Sequence, residues 1–122
     1  MSRYLVLLPA PEAEWALLPD SEHEKGMKSH AQFHEDLAAG GHKLLAVSPL
    51  EPSAKATSMR PDGHGSALVT DGPFTETAEQ VGGFYLVETD DLDDLLDCCK
   101  IIAALGDGIE VRRTVDPAER PS

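Results

Sequence analysis

Apolar and polar positions along the chain alternate between two periods. Tyr4-Leu5-Val6-Leu7-Leu8 is apolar at every position, as in a strand buried on both faces, with Pro9 and Pro11 to end it. Residues 12–18, which include Trp15, suit a short helical turn. Ser21 followed three residues later by Glu24 has the capping-box form, so a helix is expected over residues 21–39 with Gly40-Gly41 as its stop. Gly26 is its weak point, costing about 1 kcal/mol against Ala in a helix interior. A second buried strand follows at residues 43–48, closed by Pro49 and Pro52. Shorter strands are expected near residues 55–60 and 65–70, with Pro61-Asp62-Gly63 as the hairpin turn between them. Gly83-Phe84-Tyr85-Leu86-Val87-Glu88 is the next strand, and Asp90 or Asp91 caps a helix reaching about Leu105. Residues 109–115 read as an edge strand, apolar at Ile109 and Val111.

This order, β-α-β, a hairpin insertion, then β-α-β, is that of an α+β, ferredoxin-like (split βαβ) protomer over residues 1–115, followed by a polar, Pro-rich tail at 116–122. The strands near Tyr4, Leu44 and Phe84 are apolar on both faces, yet two helices cover only one face of a four-stranded sheet. A second copy packed sheet on sheet would cover the other. The expected assembly is therefore a homodimer through the sheet face, a dimeric α/β-barrel.

Composition narrows the classes of partner. The chain has 122 residues, 22 acidic and 10 basic, for a formal net charge of −12. That balance argues against nucleic acid and against an anionic membrane surface, both of which need clustered Lys and Arg. Aromatics make up only 5%, so the core must come from Leu, Val, Ile and Ala. The N-terminus runs straight into a strand rather than a signal-peptide pattern, and no apolar run reaches membrane-spanning length. Cys98 and Cys99 are the two cysteines; vicinal thiols make a strained disulfide, which fits a reducing compartment, and a cytoplasmic location is expected. The short chain lacks a dinucleotide fingerprint, so neither NAD nor FAD is expected, and no other cofactor is indicated.

Candidate chemistry gathers on the first helix. Projected at 100° per residue, Met27, Ala31, Phe33, Leu37 and Ala38 form its apolar face, with His30 and His34 in the middle and His23 nearby. Three readings fit these histidines: partly buried side chains each satisfied by one hydrogen bond, an acid/base site oriented by a carboxylate, or a shared metal ion at the i, i+4 spacing of His30 and His34. Asp71 ends a strand at a sharp turn, where it suits either an Asx-turn or a catalytic carboxylate, and Thr75, Glu76 and Thr77 follow. His42 and His64, beside glycines, read as surface residues. On the second helix Leu92, Leu95, Leu96, Cys99, Ile102 and Ala103 share one face, making Cys99 a core thiol with Cys98 at the stripe's edge.

Asp71-Gly72-Pro73-Phe74-Thr75-Glu76-Thr77, followed by Glu79-Gln80-Val81-Gly82-Gly83-Phe84-Tyr85-Leu86, resembles the motif of the YCII-related, DGPF-domain proteins. Asp91-Leu92-Asp93-Asp94 and Ile109-Glu110-Val111-Arg112 resemble the start of that family's second helix and its last strand, and the stretch at 27–33 fits its first helix loosely. The resemblance spans roughly residues 3–115. It implies a dimeric α/β-barrel and a His–Asp pair in a pocket. The aspartate falls on Asp71; the histidine falls on His30, with His34 next. It also implies a bacterial setting in which relatives act on lactones or accompany sigma factors.

Two functions follow as expectations. One is an enzyme in which Asp71 orients His30 or His34 for acid/base chemistry on a small carbonyl or lactone compound. The other is a non-catalytic ligand-binding or protein-interaction module in bacterial transcriptional regulation.

Overall fold

The long strand at the N-terminus organises the fold. The computed structural model describes residues 1–10, 16–74, 80–105 and 108–119. Strand β1 (Ser2–Ala10) lies in the middle of a four-stranded antiparallel sheet. It pairs on one side with β5 (Gln80–Thr89) and on the other with β6 (Glu110–Arg113). Strand β2 (Lys43–Pro49) adds to the far edge of β5, giving the order β2-β5-β1-β6. The two central strands are the most continuously apolar ones, as burial between neighbours requires. Pro9 does not end β1, because a register shift after Leu8 lets the strand continue opposite Val81 and Gln80.

Two helices connect and cover this sheet: α1 (Asp20–Ala39) joins β1 to β2, and α2 (Leu92–Ala103) joins β5 to β6. Phe33 and Leu37 from α1 meet Leu95, Cys99 and Ile102 from α2 over Val6, Tyr85 and Val87 of the sheet. Burial along β5 alternates, with Gly83, Tyr85, Val87 and Thr89 on the helix side. The strand register therefore places Leu5, Leu7, Phe84 and Leu86 together on the opposite face, turned away from α1 and α2 and half-buried.

Between β2 and β5 the chain forms a separate two-stranded ribbon, β3 (Thr57–Pro61) with β4 (Ala67–Asp71). Both strands fall one to two residues later than the sequence suggests. Asp62 accepts hydrogen bonds from the backbone of His64 and Ser66 to close the hairpin, as expected of an Asx residue in a turn. The ribbon leaves Met59, Leu68, Val69 and Phe74 exposed, and Arg60 stacks over the Phe74 ring at 3.9 Å.

Several local expectations change. Helix α1 starts after Pro19 with no side-chain cap, so Ser21 already lies inside the helix and the capping box with Glu24 does not form. The buried stripe of α1 is narrower than projected: it holds Gly26, Phe33 and Leu37, while Met27, Ala31 and Ala38 are exposed. Gly26 is thus buried on the face of α1 that borders a groove. Asp91 does cap α2, its carboxylate accepting from the Asp94 backbone N–H at 3.0 Å. The turn at 12–18 falls largely outside the described residues, as do Thr75, Glu76 and Thr77. No described helix is long and apolar enough to cross a membrane.

Candidate functional site

The spacing of α1 brings two histidines to one phenol. Residues 30, 33, 34 and 37 share a helix face, and Phe33 and Leu37 anchor that face in the core. His30 and His34 consequently both reach Tyr85 on β5. His30 Nδ1 lies 2.6 Å from the Tyr85 hydroxyl and His34 Nε2 lies 3.3 Å from it. The His30 ring stacks on the tyrosine with an interplanar angle of 14°, and Phe33 packs edge-on against it with centroids 4.8 Å apart. The i, i+4 pair thus shares a hydroxyl oxygen.

His30 also lines a groove of about 870 Å³ between α1 and the ends of β1, β2 and β5. Its walls are mainly apolar, with Leu8, Val47, Leu50, Phe84 and Ile102 among them, and His23 stands at its side. Gly83 permits the close packing of β5 on β2 at this end, because a Cβ there would sit 3.0 Å from the Ser48 carbonyl oxygen. Burial and the positive charge available to neighbouring His34 hold the His30 pKa below its ordinary value, favouring the neutral ring. Burial raises the Tyr85 pKa, so its hydroxyl stays protonated. A single hydroxyl proton between two imidazoles allows two arrangements. With Tyr85 donating to His34 and accepting from His30 Nδ1–H, His30 Nε2 is left as a base. With the direction reversed, Nε2–H is left as an acid.

Asp71 stands apart. It is exposed at the end of the ribbon opposite Thr57, and among the described residues its carboxylate bonds neither histidine. Gly72 beside it adopts φ +102°, and the Gly72 backbone N–H donates to the Ala56 carbonyl at 2.7 Å, so the sharp turn is formed. Within the single chain the structure joins His30 and His34 through Tyr85 and leaves Asp71 on the ribbon.

The close His–Asp pair lies elsewhere and corrects the placing of His42 on the surface. His42 is 5% exposed. Its Nε2 lies 2.6 Å from Asp94 Oδ2 and its Nδ1 lies 2.7 Å from the Thr89 hydroxyl. The cause is the end of α1. Gly41 has φ +76°, Gly41 N–H donates to Ala38 O, and His42 N–H reaches back to Leu37 O at 3.0 Å. This is the Schellman arrangement, which folds the residue after the left-handed glycine back over the helix end, where an apolar side chain commonly packs. Here that residue is His42. Thr89 Oγ1 accepts the Asp91 backbone N–H, the bond that the third helical residue makes in a capping box. Asp94, at that third position, is therefore free to reach His42. Cys98, one turn along α2, points its sulfur at the same Asp94 oxygen, 3.8 Å away. The sequence signal for His42 was its position directly after the Gly-Gly stop.

The fold and these sites define an α+β domain with a ferredoxin-like strand order. The YCII-related domain family model matches residues 2–117, and the chain belongs to that family. An uncharacterized protein of Rhizobium meliloti (strain 1021) is 35% identical over 94 residues, which span 77% of this chain and 74% of the relative.

Proposed function

We propose that the protein binds a small, mostly apolar carbonyl or lactone compound in the His30 groove and performs acid/base chemistry on it. The observation carrying this reading is the 2.6 Å contact between His30 and Tyr85 beside an apolar groove of about 870 Å³. Such a groove has ligand-site size, and a few polar groups in apolar walls are what fix a ligand's orientation. His30 Nε2 is the group that takes or gives the proton. Tyr85 and His34 set its tautomer by the direction of their hydrogen bonds. Asp71 belongs to this reading as a residue brought to the groove in the assembled protein, since its own chain holds it on the ribbon.

The assembly in this proposal is a homodimer. Its support is the sheet face turned away from α1 and α2, where Leu5, Leu7, Phe84 and Leu86 are gathered. Charged positions flank them: Arg3 pairs with Glu88 at 3.0 Å, and Glu110 and Arg112 lie on the adjoining edge strand. Leu7→Asp should convert the dimer to monomer in analytical ultracentrifugation.

The exposed apolar ribbon, with Met59, Leu68, Val69 and Phe74, supports a second reading as an interaction module. Turnover of a panel of lactones and small carbonyl compounds separates the two. Wild type should convert at least one compound, with His30→Gln abolishing turnover and Tyr85→Phe reducing it. Equal rates in wild type and His30→Gln would sink the acid/base reading. For Asp71, histidine NMR titrations of wild type and Asp71→Asn are the measure: an unchanged His30 titration would remove it from the site.

A further inference from the structure

The His42–Asp94–Cys98 cluster lies outside the His30 groove and plays no part in the proposed chemistry. Its three donor atoms, an imidazole nitrogen, a carboxylate oxygen and a thiol sulfur, all lie within 4.8 Å of one another. We propose that this cluster is a binding site for a divalent transition-metal ion of the zinc type, at the seam between the end of α1 and the start of α2.

Four observations support the assignment. First, the donor set is mixed nitrogen, oxygen and sulfur, which suits zinc and cobalt and is poor for calcium or magnesium. Second, Asp94 and Cys98 are one helical turn apart and reach a common point, while His42 comes from a different element. Third, the remaining nitrogen of His42 is already oriented. Nδ1 meets Thr89 Oγ1 at 2.7 Å, and the Asp91 backbone N–H fixes that hydroxyl in turn. Metal-binding histidines are typically held in this way through their second nitrogen. Fourth, the backbone makes room. Gly40 has ordinary helical φ and ψ, so its conformation does not demand glycine. A Cβ there would nevertheless fall 2.5 Å from Asp94 Oδ2 and 2.8 Å from the His42 ring.

The required adjustment is small. Tetrahedral zinc sets neighbouring nitrogen and oxygen ligands roughly 3.3 Å apart, and sulfur and oxygen roughly 3.5 Å apart. The present separations are 2.6 Å and 3.8 Å. Asp94 has a side chain 46% exposed, so it has freedom to open the shorter gap, and solvent has access to a fourth coordination position. On binding, the ion takes the place of the proton between His42 Nε2 and Asp94. The neutral His42 ring then carries its one proton on Nδ1, donated to Thr89 Oγ1, and the Cys98 thiol proton leaves to solvent.

The test is a cobalt(II) titration of the purified, metal-free full chain, followed by absorption. Wild type should show a sulfur-to-cobalt charge-transfer band together with visible bands of tetrahedral cobalt, saturating at a one-to-one ratio. Cys98→Ser should lose the charge-transfer band, and Asp94→Asn should weaken binding by more than about tenfold, the scale at which even outer partners of a metal site register. Cys99→Ser and His30→Gln should bind as wild type. No charge-transfer band in wild type would overturn the proposal, leaving the cluster a hydrogen-bonded clasp; so would a band that survives Cys98→Ser or disappears with His30→Gln. If Cys98→Ser does not fold, alkylation of wild type decides: zinc should slow modification of Cys98, and an unchanged rate would reject the site.

Discussion

His30 lies midway along the first helix and His42 just past its end, yet they sit in opposite kinds of environment. His30 borders an open apolar groove and bonds a phenol that it shares with a second histidine. His42 is closed in, with a hydroxyl on one ring nitrogen and a carboxylate on the other. The first ring has a nitrogen left over for a ligand; the second has both nitrogens engaged inside the protein. A carboxylate partner is often taken as the mark of a catalytic histidine. In this chain the carboxylate fastens two helix ends, and among the described residues His30 beside the groove is bonded by none.

The contrast breaks most sharply at His42. His42→Ala should cost about 3 kcal/mol in urea unfolding, since it opens a cavity and strips a partner from Thr89 and from Asp94. His30→Ala should cost less than half of that, because its ring is partly solvated and its partner Tyr85 keeps His34. Equal losses would mean that both histidines serve the core alike.

Gly40→Ala is next in size and tests the same clasp without replacing any of its residues. On conformation alone, alanine at this helical position should gain up to about 1 kcal/mol. The new methyl would instead meet the buried His42 ring and Asp94, and the variant should lose at least about 1 kcal/mol. A stabilised Gly40→Ala would show that the seam relaxes readily.

The strand and helix order was legible because each segment's period agrees with its punctuation: the all-apolar run at Tyr4, the Gly40-Gly41 stop, the Asp91 cap. His30 was legible as well, because helical spacing fixes which residues share a face. Tyr85 was not, since its pairing with His30 spans 55 positions and depends on which face of β5 meets α1. His42 was read as a surface residue because glycine neighbours usually mean a solvated turn; the Schellman geometry turns the same residue inward. Asp71 was drawn in by its motif, while the hairpin insertion legible in the chain is the same ribbon that holds Asp71 apart from the four-stranded sheet.

A smaller effect separates the two sites spectroscopically. Tyr85→Phe keeps the packing against Phe33 and removes only the hydroxyl, so it should cost about 1 kcal/mol. The NMR signals of both His30 and His34 should move, with those of His42 unchanged. Movement at His42 would mean that the groove and the clasp are coupled through the core rather than independent.

The smallest expected effect is on pH dependence. The His30 pKa in the folded protein lies below the value of about 6.5 for a free histidine. Between those two values the unfolded chain binds more protons than the folded one, so stability rises with pH across that window. The contribution is fully present above about pH 6.5 and is lost as pH falls through the folded-state pKa. His30→Gln should therefore flatten the pH dependence of the urea midpoint on the acid side of that value, with no change in its slope near pH 8. The His34 charge contributes to the depression, so His34→Gln should raise the His30 pKa part of the way back and flatten the profile less. If His34→Gln leaves the His30 titration where it was, burial in the groove alone sets the neutral form, and the shared Tyr85 hydroxyl orients the ring without tuning its charge.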